Sequence, residues 1–263
     1  MIRSFRKDCL LVKVASTRAE LGAVAGADAA DAFRASIFVN GSARVIFAAA
    51  PSQNETLATL VAARDVDWSK VDALHMDEYV GLPIGSRARF SYYLKTHCFD
   101  LLPFRSIYYI DEERGLDVDA MLARYDQILA EAPINVVCMG IGENGHVAFN
   151  DPPVADFNDP KRIKAVQLDD VCRRQQVHDG CFPDFDSTPT TALTLTVPTL
   201  AKAGRQICAV PGKLKASAVR ATLTAPISEA CPATILRRLP FATLYVDADS
   251  FSQCADLDWD WLD

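Results

Sequence analysis

Two hydrophobic rhythms take turns along this chain. Short apolar runs rich in β-branched residues fall at 10–14, 43–49, 71–76, 107–110, 134–139, 163–168, 192–197, 206–210 and 242–246, each about the length of a strand. Between them apolar residues recur every three to four positions: an alanine-rich stretch at 17–40, others at 54–63, 90–99 and 118–131, one after Gly212 and a short one at 233–238. Thr17 with Glu20, and Ser52 with Glu55, carry capping-box signatures at two helix starts. Strands alternating with helices predict the α/β class, with a parallel sheet covered by helices.

No internal repeat, low-complexity tract or linker interrupts the pattern, so a single domain over 1–263 is expected. Residues 154–190 form a looser excursion, proline- and aspartate-rich at its start, and long loops inside compact domains often serve as lids.

Composition narrows the class of function. With 263 residues, half of them hydrophobic, the chain can bury a full core, as ordinary soluble enzymes do. A formal charge of −7 argues against nonspecific nucleic-acid or membrane partners and confines any anion binding to a local pocket. The eight cysteines form no C-x-x-C pair, which suggests reduced thiols and a cytoplasmic address. No apolar run has the length of a signal peptide core or a membrane span. The four histidines lack ligand spacing, so no metal site is expected.

The most informative stretch follows the strand at 134–139: Gly140, Gly142 and Gly145 lead into His146. Glycines at a strand's carboxyl end let the backbone turn tightly and approach a ligand, and open α/β sheets place their sites there. The glycines also spell G-x-G-x-x-G. That dinucleotide fingerprint needs a helix opening at the third glycine, and Pro152-Pro153 leave little room for one, so no nicotinamide cofactor is expected. His146 instead stands at the rim with Asn144 and Asp151 near enough to fix its tautomer. Asp77-Glu78 close another strand, and paired carboxylates raise each other's pKa, which suits one of them to act as a base. Candidate phosphate ligands are the strand-to-helix loop Ala50-Pro51-Ser52-Gln53, the pair Arg173-Arg174, and Lys215 after Pro211-Gly212.

Met76-Asp77-Glu78-Tyr79-Val80-Gly81-Leu82 and Gly142-Glu143-Asn144-Gly145-His146-Val147-Ala148-Phe149-Asn150 resemble segments specific to the glucosamine-6-phosphate deaminase (isomerase) family, and the likeness runs over about 45–244. The resemblance implies a Rossmann-like, mostly parallel sheet with helices on both faces. It also implies isomerisation and deamination of an amino sugar phosphate to a ketose 6-phosphate and ammonia, with no cofactor. Asp77 matches the family's enolising base, His146 its ring-opening histidine, and Asn144 and Asp151 the groups that orient this histidine. Lys215 and one of Arg173 or Arg174 match phosphate ligands. Asp151 stands where many members have glutamate, and the loop at 50–53 lacks the family's usual glycines and threonines, which leaves glucosamine and galactosamine 6-phosphate both open. Some members are hexamers, so a homo-oligomer is within the expectation. A 6-phosphogluconolactonase-like hydrolase and a non-catalytic sugar-phosphate sensor are the competing readings.

Overall fold

The computed structural model describes residues 2–110, 117–178 and 180–262. In chain order the strands are β1 (Arg3–Lys7), β2 (Leu10–Val14), β3 (Ala43–Phe47), β4 (Val71–His75), β5 (Asp77–Tyr79), β6 (Ser106–Tyr108), β7 (Val136–Met139), β8 (Ile163–Gln167), β9 (Thr191–Leu195), β10 (Arg205–Val210), β11 (Ala242–Val246) and β12 (Trp261–Leu262). The α-helices are α1 (Arg18–Asn40), α2 (Asn54–Ala62), α3 (Phe90–His97), α4 (Val118–Glu131), α5 (Asp170–His178), α6 (Val197–Ala201) and α7 (Ala216–Thr224).

Among the described residues a nine-stranded sheet runs in the order β12-β1-β2-β11-β10-β7-β3-β4-β6. From β2 to β6 every pairing is parallel. Every residue of β3, β4, β7 and β11 is buried, as a parallel sheet covered on both faces requires. Alternate residues feed two cores. Ile46, Val137, Met139 and Leu244 pack with Tyr125 of α4, Leu200 of α6 and Val219 of α7. Val45, Phe47, Val136, Cys138 and Tyr245 pack with Phe33 of α1, Leu57 of α2 and Leu94 of α3.

The strand order places the site. From β3 the chain steps outward to β4 and β6; it then returns as β7 on the other side of β3 and steps the opposite way to β10 and β11. The loops leaving β3 and β7 diverge, which opens a crevice at the carboxyl ends of the two strands.

The helix starts differ from one another in how they are capped. Thr17 accepts the Glu20 N–H at 3.2 Å, and the Glu20 carboxylate accepts the Ser16 N–H at 2.8 Å, so the first capping box forms nearly as expected. The second does not. A 3₁₀ turn (Pro51–Gln53) precedes α2, no side chain caps that helix, and Glu55 pairs with Arg18 of α1 at 2.8 Å. Gly22 and Gly26 bring α1 close to α2: a Cβ on them would lie 2.2 Å from Glu55 Cβ and 2.5 Å from Thr59 Cβ.

Two strands read from the sequence join a different sheet. β9 pairs antiparallel with β8 on one side and β5 on the other in a separate three-stranded sheet. In β8 only Ile163 and Val166 are buried, and being three apart they point to opposite faces, Ile163 into one core and Val166 into the other. The excursion at 154–190 is therefore partly regular, containing β8 and α5. Strand β1, between β12 and β2, went unread because its sequence, RSFRK, is mostly polar; Phe5 is its buried residue, stacked on Trp259 at 4.4 Å. Among the described residues no helix is long and apolar enough to cross a membrane.

Candidate active site

The crevice at the switch point is lined by Ala48–Ala50, Ser52 and Gln53 after β3, Met76 and Asp77 after β4, Gly140–Gly142 and His146 after β7, and Lys215 after β10.

Asp77 and Glu78 are both buried but differ in surroundings. Glu78 accepts the backbone N–H groups of Tyr79 (3.0 Å), Phe90 (3.1 Å) and Ser91 (2.9 Å), so its carboxylate caps the first turn of α3. Arg89 Nε lies 3.6 Å from it. Asp77 faces the crevice, and burial first, then the Glu78 charge, pushes its carboxyl well above the ordinary range. His75 fixes the backbone beneath it. The ring's Nε2 accepts the Ile110 N–H at 2.8 Å, which leaves Nδ1 to donate to the Asp77 carbonyl at 2.9 Å.

The loop after β7 is a tight turn, not a helix. Gly142 N–H bonds to the His146 carbonyl at 2.9 Å and Gly145, at φ 85°, bonds back to Gly142 at 3.1 Å. Glycine is required at 142 because a Cβ there would sit 2.2 Å from the His146 ring. Behind the ring, His146 Nδ1 lies 2.8 Å from Asp151 Oδ1. That separation is a hydrogen bond's, yet the ring N–H direction does not point along it, and Nδ1 has no aligned partner. We take the contact as an electrostatic pairing, because the distance survives small rotations of the ring. Asn144 ties the group together: its amide donates to Asp151 at 2.8 Å, and its carbonyl accepts the His146 N–H at 3.0 Å. Burial alone would raise the Asp151 carboxyl, but the His146 ring, then Asn144 and Cys172, outweigh it and hold the acid below the usual range.

Of the residues read from the sequence, the structure brings Asp77, His146, Ala50, Ser52, Gln53, Gly142 and Lys215 to one crevice, with Asn144 and Asp151 behind the histidine. Lys215 ends a 3₁₀ turn (Lys213–Lys215) anchored where the Asp247 carboxylate accepts the Gly212 N–H at 3.1 Å. The Gln53 side chain is committed to the fold, its amide nitrogen donating to Ser52 Oγ at 3.2 Å and the Ala209 carbonyl at 3.1 Å.

The arginine pair is a correction. Arg173 donates to the carbonyls of Phe185 (2.7 Å) and Thr188 (2.9 Å), and Arg174 reaches into solvent beside Asp170 at 3.8 Å; neither lines the crevice. On α5 the inward positions are 172, 175 and 176, three and four apart, so 173 and 174 face away. Gln175, Gln176 and Cys181 occupy the wall instead, and Lys215 is the only cationic side chain among the described lining residues. Gln176 Oε1 accepts the buried Tyr79 hydroxyl at 2.6 Å, which turns its amide N–H groups away from that contact. Nothing in the sequence flagged these glutamines. Helical periodicity across 170–178 was the available signal, and its polar composition hid it.

Comparison with known proteins agrees with this geometry. The family model described as glucosamine-6-phosphate isomerases/6-phosphogluconolactonase matches residues 16–243. Glucosamine-6-phosphate deaminases of Bacillus thuringiensis (strain Al Hakam) and Bacillus anthracis (strain A0248) are each 35% identical over 191 residues, 73% of this chain and 71% of theirs. Among solved structures, a monomeric glucosamine-6-phosphate deaminase superposes with a TM-score of 0.82 at 26% identity, covering 92% of this chain and 99% of its own. The 6-phosphogluconolactonase of Trypanosoma brucei shares the fold, with a TM-score of 0.77 at 17% identity and coverage of 96% and 100%. Sequence, fold and the position of the crevice converge: the chain belongs to the glucosamine-6-phosphate isomerase/6-phosphogluconolactonase family.

Proposed function

We propose that the protein converts glucosamine 6-phosphate and water to fructose 6-phosphate and ammonia. The observation that carries this reading is that Asp77 and His146, delivered by different strands, line one crevice with Lys215.

In this reading Lys215 binds the phosphate, and Gln176 donates its amide N–H to a phosphate or hydroxyl oxygen. His146 moves a proton from the C1 hydroxyl to the ring oxygen and so opens the pyranose; Asn144 and Asp151 hold the ring for that transfer. Asp77 then takes the proton from C2 and returns it to C1, and a proton passes from the amino nitrogen to O1, leaving a hydroxyl at C1 and an imine at C2. Water adds there, the C2–N bond breaks and ammonia departs. A carboxyl whose pKa is raised by burial and the Glu78 charge is, once ionised, a stronger base than an exposed one, which suits it to this shuttle. The segment carrying Gln175, Gln176 and Cys181 serves as the cover that keeps water off the enolised sugar.

The test is an ammonia assay on chelator-treated enzyme with glucosamine 6-phosphate and its galactosamine epimer, beside a hydrolysis assay with 6-phosphogluconolactone. Ammonia from glucosamine 6-phosphate supports the proposal. Ammonia from the epimer alone reassigns the sugar, and lactone hydrolysis without ammonia from either overturns the reaction.

A further inference from the structure

We propose that His146, Asp151 and Cys172 form a site for a thiophilic divalent cation, Zn²⁺ above all, and that its occupancy inhibits the enzyme. The fold gathers these three residues from the loop after β7 and from α5, and their donor atoms lie within 4.8 Å of one another. No sequence spacing announces the set, because its members come from different elements.

The donor chemistry selects the ion. One imidazole nitrogen, one carboxylate oxygen and one sulfur make a zinc set, and hard cations such as Mg²⁺ take oxygen ligands instead. Zinc bonds of about 2.0–2.3 Å place tetrahedral ligands roughly 3.3–3.8 Å apart, so small side-chain rotations close the cluster around an ion. Two of the donors also lack an aligned partner: His146 Nδ1 and Asp151 Oδ2 are buried without a hydrogen bond. Native interiors rarely leave such atoms unsatisfied, and both belong to side chains more than nine-tenths buried. Cys172 enters the site as thiolate, its proton passing to solvent, and His146 enters neutral. Asp151 and Cys172 do not line the crevice, so the ion sits behind the His146 ring, where water completes the tetrahedron.

The inhibitory consequence rests on the function proposed above, since the ion would tie up the histidine that opens the sugar ring and the aspartate that orients it. Metal binding itself does not rest on it. The experiment titrates chelator-treated, desalted enzyme with Co²⁺ as a spectroscopic probe and with Zn²⁺ in equilibrium dialysis and the ammonia assay. One equivalent should bind with a thiolate-to-cobalt charge-transfer band. Cys172→Ser should abolish the band, Cys181→Ser should keep it, and chelator should reverse inhibition by Zn²⁺. The zinc concentration for half-inhibition should rise by about tenfold or more in Cys172→Ser, the usual scale for disturbing a metal site. Substoichiometric binding, or a band and inhibition unchanged in Cys172→Ser, overturns the site. Should that variant fail to fold, X-ray absorption of zinc-loaded native enzyme decides: one sulfur neighbour supports the site and none overturns it. A cobalt band without ammonia release condemns only the proposed reaction.

Discussion

At the scale of single residues, the adjacent carboxylates Asp77 and Glu78 divide two tasks that the sequence shows only as a pair. Glu78 accepts three backbone N–H groups while Asp77 is left to the crevice. Asp77→Asn should therefore lower kcat by about 10²–10⁴-fold, the usual worth of one positioned base, with substrate affinity retained. The same substitution should stabilise the fold. An acid whose folded pKa is raised contributes stability that is complete below its unfolded pKa and is lost as pH rises through the folded value, so the native Asp77 is a liability at neutral pH. Melting temperatures of both proteins should diverge from pH 4 to pH 8 in favour of the asparagine variant. A constant difference across that range would detach Asp77's burial from its ionisation. For binding, Gln176→Ala should raise KM for the phosphorylated sugar with a smaller change in kcat, and Lys215→Ala should raise it further, since a charged donor is worth more than a neutral one. Unchanged KM in both would remove the wall of α5 and the turn before α7 from substrate binding. Asp77, His146 and Lys215 were legible in the sequence because each follows a recognisable strand end. Gln176 was not, because an amide in a polar stretch has no signature until the helix turns it inward.

At the scale of elements, legibility followed hydrophobic contrast. The helix at 118–131 and the strand at 242–246 were read to the residue, the helix from its apolar period after the Asp117 cap and the strand from a short apolar run that Asp247 ends. The capping box at Thr17 was legible as well, whereas Ser52 and Glu55 have the same spelling and form none, because Pro51 starts a 3₁₀ turn and Arg18 claims Glu55. A local motif is settled by what packs against it. The membership of β5, β8 and β9 in a second sheet was hidden for a related reason: pairing between segments far apart in the chain leaves no local mark in the sequence. Cap loss gives the element-scale prediction. Glu78→Ala leaves the N–H groups of Phe90 and Ser91 at the start of α3, and that of Tyr79 in β5, without their acceptor, and the unsatisfied donors should cost about 1–3 kcal/mol each in denaturant unfolding. Glu78→Gln, which keeps an acceptor oxygen, should cost less. It should also lower the pKa of Asp77 by removing the neighbouring charge, moving the acid limb of kcat/KM to lower pH. An acid limb that stays in place would show that burial alone sets the Asp77 carboxyl.

At the scale of the whole molecule, one sheet serves two cores, since alternate residues of β3, β7 and β10 belong to opposite faces. Neither core can melt without stripping the sheet of half its cover. Chemical unfolding should accordingly trace a single transition, coincident by fluorescence of Trp68 on one face and Trp259 on the other once the remaining tryptophans are replaced. Two resolved transitions would divide the chain into separately folding units. The sheet also explains why the crevice needs so few dedicated parts: the switch between β3 and β7 supplies its shape, and the loops add chemistry. The close approach of α1 and α2 has a further meaning. Arg18 at the start of α1 donates to the Pro51 carbonyl and pairs with Glu55, so α1 is bolted to the loop that carries Ser52, while Gly26 presses against Thr59 two turns along. A methyl group at Gly26 must pry the helices apart and press on that loop, whose Ser52 and Gln53 line the crevice. The shape of the crevice is thus governed in part from a helix seam outside it, and a substitution there reaches the site without touching a residue that lines it.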